Sequence, residues 1–216
     1  TDAIIWEVHV EDFSSDSDSG IRPEYQGKYL GFTQEGTTLN DAGHFLTGLN
    51  YLSQLGVNYV HLLPVYDFVN NEEDTQYNWG YDPKNYNVPE GKYSSNPRDP
   101  KSRIRELKQL IQSLHKHNIG VVLDVVYNHT YETEDSWFQY TVPDYYYRQD
   151  DYGNFSNGSG VGNETASERT MMRKFMIDSI LYWVEEYHVD GFRFDLMGVH
   201  DTETMNIIRE TLDQRG

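Results

Sequence analysis

The run "GVVLDVV", residues 120–126, decides the fold. It is almost continuously apolar. A strand with one wet face alternates apolar and polar residues, whereas a strand of a parallel sheet covered on both faces does not. Working outward, the residues before it predict a helix over Ser102–Asn118, with Ile104, Leu107, Leu110, Ile111 and Leu114 as its apolar stripe. Ser102 is the expected N-cap and Asn118 the C-terminal stop. Helix followed by buried strand is half of a βα unit. The same alternation recurs along the chain. Strand-like runs fall at Ile4–Val10, Val57–Val65 and Gly191–Leu196. Helical spacing falls at His44–Leu55, with Phe45, Leu49, Leu52 and Leu55 inward and Gly56 as C-cap, and at Ala166–His188. A last helix, capped by Asp201 or Thr202, runs to about Gln214.

Repeated βα units imply a parallel sheet with right-handed crossovers. The connections after strands are long and irregular: 13–43, 66–101 and 128–165. Those after helices are short. This asymmetry marks the carboxyl ends of the strands as the working face, as in a (β/α)8 barrel, of which the chain holds about the first four units. A doubly wound sheet is the alternative, but "EDFSSDSDSG" after the first strand lacks its Gly-rich phosphate loop.

Bulk properties narrow the function. The formal charge is −18, from 35 acidic and 17 basic side chains, which disfavours nucleic acid and anionic membrane as partners. With no cysteine, disulfides, thiolate metal sites and a Cys nucleophile are excluded. No apolar stretch is long enough to span a membrane. The N-terminus "TDAIIWEVHVEDF" reads as a strand and not as a signal peptide. The acidic, Tyr-rich composition leans toward a secreted or cell-surface bacterial protein over a cytoplasmic one. The loop from Glu132 to Asp151 is acidic enough to suggest structural calcium, but lacks the D-x-D-x-D-G spacing and reads as solvated. No cofactor is expected. His61, inside an apolar strand, reads as a satisfied core histidine.

The stretch "HVDGFRFDLMG", residues 188–198, sets two charges inside an apolar strand. Residues two apart share a face, so Arg193 and Asp195 point one way and Phe192, Phe194 and Leu196 the other. Asp124 is a second lone carboxylate in the preceding strand. One reading is an internal ion-pair network that holds strand register. The other is that Arg193 keeps Asp195 ionised and aimed, as the nucleophile of a retaining glycosidase requires.

"DVVYNH" (Asp124–His129) and "DGFRFDLMG" (Asp190–Gly198) resemble the first and second sequence regions of the α-amylase superfamily of glycoside hydrolases, family 13. "YNWGYDP" (Tyr77–Pro83) is similar to the signature heptapeptide of its type I pullulanases, as is "GVGNETASERTMMRKFMIDSILYW" (Gly160–Trp183). The resemblance covers essentially the whole chain. It implies that Asp195 is the catalytic nucleophile and Arg193 the arginine beside it. It implies that His129 and Tyr81 bind the sugar at the cleavage point, and that Asp124 is their structural partner. Asp82, Leu196 and Met197 are implied as cleft residues. The implied substrate is a glucan with α-1,6 branches. An α-1,4-acting or branching specificity, or a non-catalytic carbohydrate-binding fragment, is the alternative. The family's general acid lies on a fifth strand, beyond Gly216. The expectation is therefore half a barrel, inactive alone and completed by the other half.

Overall fold

The computed structural model describes residues 2–215. The chain runs β1 (Ile5–Val8), α1 (Gly48–Leu55), β2 (Tyr59–Leu62), β3 (Tyr66–Phe68), β4 (Pro83–Pro89), α2 (Pro100–Lys116), β5 (Gly120–Val125), α3 (Trp137–Thr141), α4 (Thr170–Tyr187), β6 (Gly191–Phe194) and α5 (Thr202–Asp213), with short 3-10 turns between. Four strands form one sheet in the order β1-β2-β5-β6, every pair parallel. The order follows the chain without reversal, so the described residues contain no switch point of a doubly wound sheet. The molecule is an α/β structure covering the first four βα units of a barrel.

The helices cover one face of the sheet. Leu49 and Leu52 of α1, Leu107, Leu110 and Leu114 of α2, and Met176, Ile180 and Trp183 of α4 are buried against Val60, Leu62, Val121 and Leu123. Val121 and Leu123 are paired with Val60 and Leu62 on this face, while Val122 and Asp124 alternate to the opposite one. No helix among the described residues is long and apolar enough to cross a membrane.

Five sequence expectations need correction. Helix α1 begins at Gly48, not His44. The residues ahead of it pair as extended chain, with Thr38 bridged to Leu46 and Leu39 N donating to Phe45 O at 2.8 Å, which leaves Phe45 71% exposed. The N-cap of α2 is Asp99, whose carboxylate accepts from Lys101 N at 3.1 Å, while Ser102 lies inside the first turn and donates to Asp99. The buried face of α2 is rotated toward Arg103 and Glu106, which reach Glu72 and Ser95 in the loops on either side of β4; Ile104 is turned outward. Finally, β6 stops at Phe194. Leu196 has a left-handed backbone (φ 42) and is exposed, so it has left the strand and does not share a face with Phe192 and Phe194. The segment 66–101, read as irregular, holds the antiparallel β3-β4 pair.

Candidate active site

Parallel register places polar side chains of four strands on one face, at two adjacent levels. Glu7 is level with His61, and Asp124 with Arg193. Their side chains connect across the uncovered face of the sheet. His61 bridges Glu7 (3.3 Å) and Asp124 (3.3 Å), and Arg193 Nη1 donates to both oxygens of Asp124 (3.0 and 3.1 Å). Asp124 is 1% exposed and would be costly there without these partners. Burial opposes the charge on Arg193, but the Asp124 and Asp195 carboxylates outweigh it and raise its pKa.

Asp195 stands at the carboxyl end of β6. Its N–H donates to Val125 O at 2.9 Å, extending the sheet ladder by one residue and fixing the backbone there. One carboxylate oxygen accepts from Arg193 Nη1 at 2.9 Å and the other from Asn128 Nδ2 at 3.0 Å. Asn128 Nδ2 also donates to the Asp195 carbonyl at 2.8 Å. The carboxylate is held on two sides yet keeps 15% of its surface open. An oriented, partly exposed anion beside a fixed cation suits attack on an electrophilic carbon.

Two loops complete the site. Tyr81 donates its hydroxyl to Asp124 at 2.9 Å; burial, and then the Asp124 charge, push that phenol well above its usual pKa, so it stays neutral. His129 is buried, with Nε2 3.1 Å from Tyr81 O and Nδ1 against Asn128 Oδ1. Burial lowers its pKa, while the Tyr81 carbonyl, Asp195 and Asp82 pull the other way. Asp82 accepts from Asn78 Nδ2 at 3.3 Å. Leu196 and Met197 are exposed on the turn leaving β6 and make no polar contact with the others.

The Tyr81 loop is tied down from below. Tyr66 donates to Gly80 O at 2.9 Å, and His9 Nε2 lies 2.9 Å from Asn78 O. Gly80 has φ +91, and a Cβ there would sit 2.9 Å from Pro64, so only glycine fits. Behind it, Glu90 accepts from the N–H groups of Phe68 and Lys92. Burial raises the Glu90 pKa to about 7 against those donors. Asp67, Glu72 and Glu90 bring carboxylate oxygens within 4.8 Å of one another, the one such cluster among the described residues. Arg103 and Asn85 already occupy two of its members. In the acidic loop, Asp135, Asp144 and Asp150 accept from Tyr140, Gln139 and the Asn154 backbone and side chain.

Asp195, Arg193, Asp124, Tyr81 and His129 thus converge, as the sequence pattern and resemblance anticipate. Asn128, the second clamp on Asp195, was missed; its adjacency to His129 in "DVVYNH" was the available signal. His61 is a satisfied core histidine as expected, but its partner is Asp124, which makes it part of this polar face. His200 was also missed. It is buried behind Phe194, neither ring nitrogen has a partner among the described residues, and burial, then Arg148, depresses it to about 4.

Charged side chains at the carboxyl ends of parallel strands, under long loops, stand on the face that carries the active site in barrel enzymes. The family model described as "Alpha amylase, catalytic domain" matches residues 37–166, and the chain belongs to that family. The pullulanase of Bacillus subtilis (strain 168) is 50% identical over 212 residues, covering 97% of this chain and 29% of that protein. Isoamylase 3, chloroplastic, of Oryza sativa subsp. japonica is 37% identical, covering 92% of this chain and 26% of its own length. The crystal structure of pullulanase from Paenibacillus barengoltzii in complex with maltohexaose and alpha-cyclodextrin superposes with a TM-score of 0.94 at 53% identity, covering 98% of this chain and 33% of that one. The chain therefore spans less than a third of the length of these two curated relatives.

Proposed function

We propose that residues 1–216 are the N-terminal half of the catalytic barrel of a retaining glycoside hydrolase that cleaves α-1,6 branch linkages of α-glucans such as pullulan, glycogen and branched dextrins. The single observation that carries this reading is the clamped Asp195. Its two oxygens are held by Arg193 and Asn128 at a parallel strand end, beside Tyr81 and His129.

In the proposed reaction an Asp195 oxygen bonds to the anomeric carbon as the bond to the branch-point O6 breaks. The departing oxygen takes a proton from a general acid. Water then opens the glycosyl ester on the same face, so the anomeric configuration is retained. Arg193 and Asn128 hold the attacking group. Tyr81 offers a ring face to the sugar and His129 a ring nitrogen to its hydroxyls. Leu196, Met197 and Asp82 line the cleft. Asp124 is committed to Arg193, His61 and Tyr81, and Glu203 lies on α5 paired to Arg173, so neither is free to be the acid. That role is assigned to a carboxyl group outside these residues, roughly 5–5.5 Å from Asp195 in the assembled site. A secreted or cell-surface setting is the accompanying reading of the acidic, cysteine-free composition, checked by cell fractionation.

The decisive experiment is turnover by the complete enzyme on pullulan against linear amylose. Release of maltotriose from pullulan, lost in Asp195→Asn while oligosaccharide binding persists, supports the assignment. Undiminished turnover in that variant removes it. The 216-residue chain alone is expected to bind glucan without cleaving it.

A further inference from the structure

A hollow of about 390 Å3 lies beside the Asp195 cluster, not over it. It falls within the size range of small-molecule sites. One wall separates the two spaces. Asp82 and His129 belong to the loops of the Asp195 site, while the next residues, Pro83 and Thr130, line the hollow. Tyr131 N donates to Pro83 O at 3.1 Å and the Tyr86 hydroxyl donates to His129 O, so one backbone and one side-chain hydrogen bond tie the two strips of the wall together.

The floor is aromatic. Tyr86 stacks on Phe138 (centroids 6.1 Å apart, 24° between planes) and meets Phe175 edge-on at 5.6 Å. The mouth is aromatic too, and exposed. Trp137 is 57% exposed and Tyr131 48%, large values for rings that flank a concavity. Single exposed aromatics need no explanation, but several around one hollow do. Two polar groups at this mouth are uncommitted. Lys84 and the Glu132 carboxylate make no side-chain hydrogen bond or ion pair among the described residues, although hydroxyls, amides and carboxylates nearby are mostly satisfied. A ligand for this place has apolar faces for the rings and, at its edges, hydroxyls that both donate and accept. A neutral ligand suits the entrance better than an anionic one, because Glu132 and Asp135 outnumber Lys84 there. An α-glucan chain has that chemistry. A phosphorylated or acidic ligand does not.

We propose that the hollow bounded by Trp137, Tyr131, Lys84 and Glu132 is a second α-glucan-binding site, which holds a remote part of the chain whose branch point sits at Asp195. The proposal rests on the glucan reading of the Asp195 site and adds to it a separate point of capture. Holding a long substrate at two places raises the effective concentration of the branch at the cleavage point without touching the reacting atoms.

The test is titration of the full-length protein with maltotriose and maltohexaose, followed by calorimetry and tryptophan fluorescence. The variants are Trp137→Ala, Trp137→Phe, Glu132→Gln and Tyr81→Ala. Trp137 and Glu132 are surface side chains, and near-ultraviolet circular dichroism reports that the fold is kept. The expected result is two classes of site. Trp137→Ala weakens one by tenfold or more and Glu132→Gln weakens the same one. Trp137→Phe restores most of it, and the Tyr81-dependent class stays intact. If Trp137→Ala and Glu132→Gln bind as the parent does, while Tyr81→Ala loses a site, the second site is refuted and the active-site reading stands. Loss in Trp137→Ala with no effect of Tyr81→Ala has the opposite meaning: the hollow binds glucan and the Asp195 reading fails. A change of molecular mass in Trp137→Ala without a change in glucan binding assigns the hollow to protein contact and overturns the proposal, as does a parent protein that binds neither oligosaccharide.

Discussion

Asp124 makes four side-chain contacts from a position that is 1% exposed: two to Arg193, one to His61 and one to Tyr81. It is the hub through which a structural ion pair and a functional one become the same object. Removing it in Asp124→Ala strands the inner end of Arg193. A fully buried pair broken this way costs roughly 3–5 kcal/mol. Arg193 is 45% exposed and retains Asp195, so the expected loss is about 3 kcal/mol, read from urea unfolding, with Asp124→Asn intermediate. Glu90 gives a prediction that depends on pH. Burial raises its pKa from 4.5 to about 7 in the folded state. The protonated form is thus favoured by folding, and the associated stability is complete below about pH 4.5 and is lost as pH rises through about 7. It amounts to on the order of 3 kcal/mol. The melting temperature should fall between about pH 5 and about pH 8, and Glu90→Gln should flatten that fall. A parallel decline in parent and variant would remove Glu90 as the cause.

At the level of elements, helix ends decide how the loops are anchored. Sequence spacing alone assigns the start of α2 to Ser102, because serine is a good cap and an apolar stripe follows. The structure starts it at Pro100 under Asp99, with proline at the first helical position, where its missing N–H costs nothing. The two assignments predict different mutants. Asp99→Ala should cost about 1 kcal/mol in urea unfolding, the ordinary value of an N-cap. It should also loosen the preceding loop, whose Asn96 O accepts from Asp99 N at 3.1 Å. Gly56 closes α1 in the left-handed region (φ 79), with its N–H on Leu52 O. Open space surrounds its missing Cβ, so Gly56→Ala should cost about 1 kcal/mol through backbone strain alone. The missed β3-β4 pair has a plain reason. β3 has only three residues, β4 begins and ends on proline, and the two pair with shifted register, so no period-2 pattern survives in the sequence.

On the scale of the whole molecule, the sheet has two kinds of strand. β2 and β5 are paired on both sides, whereas β1 and β6 are each paired on one side among the described residues. Exposure follows: β5 is almost wholly buried, while β6 is intermediate to exposed throughout. Amide hydrogen exchange of the 216-residue chain should therefore be slow in 59–62 and 120–125 and markedly faster in 5–8 and 191–194. Uniform protection across all four strands would show that the edges are covered in solution. Unpaired edges are also sites of self-association, so protection that rises with concentration is the expected signature of that contact.

The sequence by itself determined the repeat of strand and helix, because apolar residues on both faces leave a run such as 120–126 with only Asp124 to break it. It also determined that Arg193 and Asp195 share a face, since that follows from the two-residue period of any strand. Tertiary structure alone decided that Asn128 closes on Asp195, that His61 and Tyr81 meet at Asp124, and that Trp137 stands over a hollow. Those pairs are separated by tens of residues along irregular loops. Their meeting depends on how each loop is pinned to the sheet, and a local pattern carries no record of that.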